Sequence, residues 1–227
     1  MPLSLIDKQD NFELVRDEIA AILAVETVNQ QALAILAEKD PELWKFDVYK
    51  ERSRIWESLT IVEAPVAPVI NVWFESENFA GDQSFNALLQ TAEPGIFNID
   101  IFTVALNEKN VGDGYISADR QSVMDAQRIV RLIRNILFSV PVDTTEPGND
   151  YKYLNLRGVV GHRKINNVVM FQPDYDKQAV TIAAARIVMG VKYIENSLEA
   201  ANNPLELLQT DLTTTTGGQV ICEFDLT

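Results

Sequence analysis

An α+β fold is predicted, with an antiparallel β-sheet packed by a long helix and an N-terminal helical segment. Two features of the sequence predict it. Apolar residues recur at three- and four-residue steps near the start and again across Ala118 to Phe138. Between and after these stretches they alternate with polar residues, as half-buried strands require.

The first helix is expected from Phe12, Val15, Ile19, Ile22 and Leu23, with Asp10 or Asn11 as N-cap. Thr27 and Val28 are expected to interrupt it, and Asn29 to Glu38 to form a second helical stretch rich in Ala and Leu. Asp40-Pro41 reads as a cap followed by proline at the first helical position, which suggests a short helix over Glu42 to Phe46. Val48 to Glu57 mixes charge with apolar residues, and Thr60 to Pro68 suits an extended approach. Val69 to Glu75 is then a strand, with Ile70, Val72 and Phe74 on one face. Ser76 to Glu93 reads as a long loop, with room for a short helix at Phe85 to Leu89. After a turn at Pro94-Gly95, Phe97, Ile99 and Ile101 mark a second strand, antiparallel to the first.

A turn-rich linker, Asn107 to Gly114, precedes the clearest helix in the chain. Ser117 caps it, and Val123, Ala126, Ile129, Val130, Ile133 and Ile136 or Leu137 form its apolar stripe. Pro141 ends it, and Asp143 to Asp150 follows as a surface loop. Val159 to Ile165 and Val168 to Gln172 are expected as strands joined by a tight turn at Asn166-Asn167. Ala179 to Glu195 fits both periods. Gly190 and the β-branched residues decide for a strand. The whole of 1–227 is read as a single domain, with a helical extension over 1–45 and a tail over 202–227 that includes an alternating stretch at Val220 to Phe224.

The chain has 227 residues, 47% of them hydrophobic, which supports a real core. Nineteen basic against 33 acidic residues leave a net charge of −14, which repels nucleic acid and anionic lipid over most of the surface. Sequence-specific nucleic-acid binding is therefore not expected. No run approaches eighteen consecutive apolar residues, which argues against a membrane-spanning helix and a membrane partner. The start, MPLSLIDKQD, does not read as a secretory signal. A single cysteine, Cys222, excludes an internal disulfide and a multi-thiolate metal site.

Motifs that carry chemistry are scarce. Asp113 to Ser117 resembles the middle of a calcium loop, but its first, third and twelfth positions are Lys109, Val111 and Arg120. It reads as a turn before a capped helix. Gly158-Val159-Val160-Gly161, followed by His162-Arg163-Lys164, could suggest a loop that grips a nucleic-acid backbone. The surrounding strands favour a bent strand with a basic end instead. Neither His162 nor Cys222 has a local base, so no catalytic residue, metal ligand or cofactor is assigned. Arg120, Arg128, Arg131 and Arg134 share one sector of the long helix, because eleven residues make about three turns. They are candidates for subunit contacts with acids on a neighbouring chain. A solvated face with local pairing, such as Asp125 with Arg128, is the competing reading.

The order of segments VYKERSRIWE (48–57), PVINVWFESENF (68–79), GIFNIDIFTVA (95–105), DAQRIVRLIRNIL (125–137), YLNLRGVVGHRKINNVVMFQP (153–173) and AARIVMGVKYIE (184–195) resembles that of tailed-bacteriophage virion structural proteins, in particular tail terminator and tail-completion proteins. The resemblance covers about residues 45 to 195. It implies a non-enzymatic protein, made in the host cytoplasm and incorporated into the virion at the head–tail junction. It also implies a homo-oligomeric ring, usually of six copies, that stops tail-tube growth and receives the head. Tail tube, sheath or neck proteins would be its partners, and DNA would pass through the lumen. A neck or collar component, another tail-assembly adaptor, and an enzyme acting through a buried carboxylate pair are the alternatives.

Overall fold

The computed structural model describes residues 9–55, 59, 67–80, 89–106, 117–138, 151–173 and 180–196. The fold is α+β, as expected, with two long helices on one face of a mixed sheet. The expected Asn107 to Gly114 linker, Pro141 stop, Asp143 to Asp150 loop and Val220 to Phe224 strand lie outside the described residues.

Helix α1 runs from Asn11 to Leu36 without interruption. Asp10 is its N-cap, and the Asp10 backbone N–H donates to Glu13 Oε2 at 3.0 Å. The expected break at Thr27 does not occur, because the threonine hydroxyl bonds outward. It donates to the Trp44 carbonyl at 3.1 Å and accepts the Phe46 N–H at 3.2 Å. The residue expected to break the helix therefore holds the returning chain against it. That return passes through a 3-10 turn, Pro41–Trp44, where Asp40 Oδ1 accepts the Glu42 N–H at 3.0 Å.

By length and composition alone α1 could cross a membrane, since its most apolar window has a mean hydropathy of 1.5. Its apolar residues are interrupted by Glu13, Arg16, Asp17, Glu18, Glu26 and the Asn29-Gln30-Gln31 run, so no uninterrupted apolar run marks it in the sequence. Here Val15, Ile19, Ile22, Leu23 and Ala34 are buried, and a third of that window lies inside the fold.

Strand β1, Asp47–Lys50, pairs in parallel with β2, Val69–Ser76, from Asp47 opposite Val69 to Lys50 opposite Val72. An all-antiparallel sheet was expected, and this pair makes it mixed. The parallel geometry requires a crossover of a dozen residues or more, which 51–68 provide. Strand β3 is the two-residue piece Phe79–Ala80. Next, β2 pairs antiparallel with β4, Leu89–Leu106, as expected. Pro94-Gly95 is not a turn. It lies at a bulge inside β4, where the register shifts between Ala92 and Gly95. A central strand can hold a proline only at such a place, since proline has no N–H for the ladder. The long loop expected over Ser76 to Glu93 is partly strand, since Ser76, Phe79–Ala80 and 89–93 belong to strands of the sheet. Of the short helix expected at Phe85 to Leu89, only Leu89 lies within the described residues, and it belongs to β4.

Helix α2, Ala118–Phe138, follows. Strand β5, Val160–Phe171, is continuous through Asn166-Asn167, so the hairpin expected there is absent. Asn166 is taken up by a bulge between Ile165 and Asn167, and the strand continues beyond it. Residues 180–196 form strand β6, not a helix, in the sheet order β1-β2-β4-β6-β5. Gly190 in β6 faces both irregularities. A Cβ there would stand 3.0 Å from Asn166 Nδ2 and 3.3 Å from the Pro94 Cβ.

Ile129, Ile133 and Leu137 of α2 join Val15, Ile19 and Leu23 of α1 over Phe97, Ile99, Ile187, Met189 and Val191 of the sheet. On the opposite face Ile55, Leu59, Val69, Phe102, Ile182 and Ala184 form a smaller core.

A carboxylate of α1 is buried against Tyr151. Glu26 of α1 accepts hydrogen bonds from Tyr151 Oη at 2.7 Å, Asn29 Nδ2 at 2.9 Å and Gln30 Nε2 at 3.0 Å. Burial pushes the Glu26 carboxyl up, but the three donors outweigh it and hold the pKa below the ordinary 4.5. A depressed folded pKa contributes stability that is fully present above the unfolded pKa and is lost as pH falls through the folded one. Tyr151→Phe is expected to cost about 1.5–3 kcal/mol at neutral pH, the worth of a hydrogen bond to a charged group. The difference from wild type should shrink below about pH 4. Urea unfolding at pH 7 and pH 3.5 measures both.

Candidate assembly interface

Helix α2 places its two faces as its periodicity predicts. Ile129, Val130 and Ile133 are buried against the sheet, whereas Arg120, Arg131 and Arg134 are exposed. Arg128 stands apart from the other three. Its Nη1 lies 3.0 Å from Asp125 Oδ1, and Gln121 also donates to Asp125, so this arginine is paired within its own helix. Arg120 sits near the start of α2, roughly 16 Å along the axis from Arg131.

Arg131 and Arg134 are brought to a second basic element. The C-terminal half of α2 lies beside the first half of β5, and the two enclose a groove of about 690 Å³. Arg131, Arg134, Arg163 and Lys164 line it together with Asn135, Phe138 and Ile165. The Arg163 guanidinium lies 5.3 Å from the centre of the Phe138 ring, so the apolar floor also orients a charge. A smaller hollow of about 330 Å³ lies alongside, lined by Pro94, His162, Lys164, Gly190 and Lys192. Lys164 belongs to both.

The described part of the chain thus gathers five Arg and Lys side chains and its one histidine around the start of β5. No acidic residue lines either hollow among the described residues. On a chain of net charge −14 this is a strong local reversal of sign.

The same strand ends the sheet. Among the described residues β5 has a neighbour on one side only, β6, and its other edge presents backbone N–H and C=O groups. The Gly158 to Gly161 segment leads into this edge. Gly158 has φ +85°, in the left-handed region, and the register shifts between Val160 and His162. The segment is therefore a turn and a bulge entering a strand with a basic end, as the sequence suggested.

A second charged constellation lies on the face of the sheet away from α1 and α2. Arg186 of β6 grips Asp100 of β4 through Nε–Oδ1 at 2.6 Å and Nη2–Oδ2 at 2.9 Å. Trp73 Nε1 donates to the same carboxylate at 2.9 Å, and the guanidinium lies 5.0 Å from the centre of a Trp73 ring. The hydrogen bonds that Arg186 donates to Asp100 raise the Arg186 pKa above its ordinary value, against the effect of burial. Each polar group here is matched by another, as in a structural ion pair.

No group of three or more His, Cys, Asp or Glu side chains arranged for a metal occurs among the described residues. His162 is exposed on β5, and Cys222 lies outside the described residues. Sequence reasoning found Arg131 and Arg134 but assigned Arg163, Lys164 and Lys192 no role beside them. No sequence spacing links 131 to 163. Their meeting depends on how α2 crosses the sheet.

No protein-family model and no curated protein matches this chain.

Proposed function

We propose that this chain is a structural virion protein of a tailed bacteriophage. Copies of it close into a ring, six in number, at the head–tail junction, where the ring ends the tail tube and joins it to the head. The segment order shared with tail terminator and tail-completion proteins supports the identity of the particle. Neighbouring tube, sheath or neck proteins are then its partners.

The observation that carries the assembly reading is the cationic groove on an acidic protein, beside a sheet edge that no other described strand pairs. A surface of one sign facing the opposite sign elsewhere on the same molecule makes a head-to-tail contact. Such contacts close into rings or else polymerise. Exposed ion pairs contribute only about 0.2–1 kcal/mol each, but desolvated interfacial pairs contribute more and fix register. An acidic ring also leaves DNA a passage, since gripping phosphates takes clusters of Lys and Arg turned toward the lumen.

The double reversal Arg131→Glu with Arg134→Glu is expected to leave the fold stable, because both side chains are exposed. It is expected to abolish incorporation of the protein into particles. Normal particle assembly by the folded double variant would remove the groove from the interface. A virion reconstruction without this chain at the head–tail junction would overturn the function itself.

A further inference from the structure

We infer that the outer face of α1 is a contact between two copies of this chain, paired antiparallel about a two-fold axis that passes beside Val28. Ala21, Val25, Val28, Ala32 and Ile35 follow one another at steps of four, three, four and three, and all are exposed. That is the seam spacing of two helices wound together. The side chains are far from satisfied by their own fold. Val28 is 63% exposed, Ile35 62%, and the flanking Leu36 81%.

The order of sizes along the seam selects the partner. Reversed about Val28, the stripe sets Ala21 against Ile35 and Val28 against its own copy, and brings Val25 beside Ala32, one residue out of step. In the outer layers a small residue faces a large one, which lets the layers interdigitate. A parallel pair would instead stack Ala on Ala and Ile on Ile. A two-fold contact must be complementary to itself, and this stripe is. Val25, Val28, Ile35 and Leu36, each more than half exposed, supply the apolar surface that such a pair would bury.

Charge argues against the other apolar occupant, a lipid headgroup surface on which the helix would lie. An interfacial helix presents Lys and Arg to headgroups on its polar face. From Ile19 to Ala37 there is no basic residue, and the one charged side chain, Glu26, is buried. The pair goes beyond the junction reading and does not rest on it, because it uses a different face from the cationic groove.

The test uses the full chain with Cys222→Ser as background. A concentration-dependent dimer is expected in sedimentation, and Val28→Asp should weaken it at least roughly thirtyfold. Val28→Cys should oxidise to a disulfide-linked dimer by itself. Ala21→Cys and Ile35→Cys should link efficiently only when the two variants are mixed. Four results would overturn the pair: a monomer at every concentration, Ala21→Cys linking mainly to itself, a dimer indifferent to Val28→Asp, or capture of the chain by neutral phosphatidylcholine vesicles in place of pairing. A ring at the head–tail junction built by the Val28→Asp variant would leave the junction reading standing whatever happens to the pair. A pair in solution with no copies at the junction would do the reverse.

Discussion

Ile133→Ala is expected to lower the unfolding free energy by about 2–5 kcal/mol, the usual cost of truncating a large buried aliphatic side chain. Ile133 is fully buried where α2 meets both α1 and the central strands. The loss combines the transfer of its methyl and methylene groups with the cavity left behind, since helix and sheet can close the gap only in part. Two residues away, Arg131→Ala should change stability by no more than about 0.5 kcal/mol, because its side chain projects into the open groove. Urea midpoints at unchanged slope read out both. If the two substitutions cost the same, the assignment of α2's inner and outer faces is wrong.

Asp100→Ala is expected to cost about 2–4 kcal/mol, somewhat below the loss on breaking a fully buried pair. The carboxylate side chain is only 8% exposed, whereas that of Arg186 keeps 36% and can recover some hydration. Removal strips Arg186 of a bidentate partner and Trp73 Nε1 of its acceptor in one step. Asp100→Asn should recover part of the loss by keeping an acceptor for Trp73. In the double-mutant cycle with Arg186→Ala, the two losses should overlap by about 1–3 kcal/mol. Additive losses would mean that the pair contributes nothing beyond its separate contacts. This network joins β2, β4 and β6 across the face opposite α1 and α2. Its expected effect is therefore on the stability of the sheet, with the Arg131 and Arg134 groove left intact.

Local pattern determined most of the elements, since the information lies within a few residues. The α1 cap at Asp10, the α2 stripe, the alternation of β2 and β4 and the choice of strand for 180–196 all follow from side-chain period and backbone propensity. The same period placed Arg131 and Arg134 on the outer face of α2. It could not place Pro94 and Asn166. Each is a turn signal by composition, yet each sits in a bulge because the ladder with β6 continues past it and returns more hydrogen bonds than a turn would.

The β1–β2 pairing was also invisible, because a four-residue strand with one half-buried side chain carries almost no periodic signal. Thr27 was misread for a related reason: its partners, Trp44 and Phe46, approach only after the chain has turned back. Sequence by itself determined which residues are helical, which are extended and which face of each element is apolar. Only the tertiary structure decided that Arg131 and Arg134 of α2 meet the Arg163-Lys164 pair of β5, and that Val25, Val28 and Ile35 of α1 are exposed. Both depend on where one element crosses another, and crossing is set by the packing of side chains far apart in the chain.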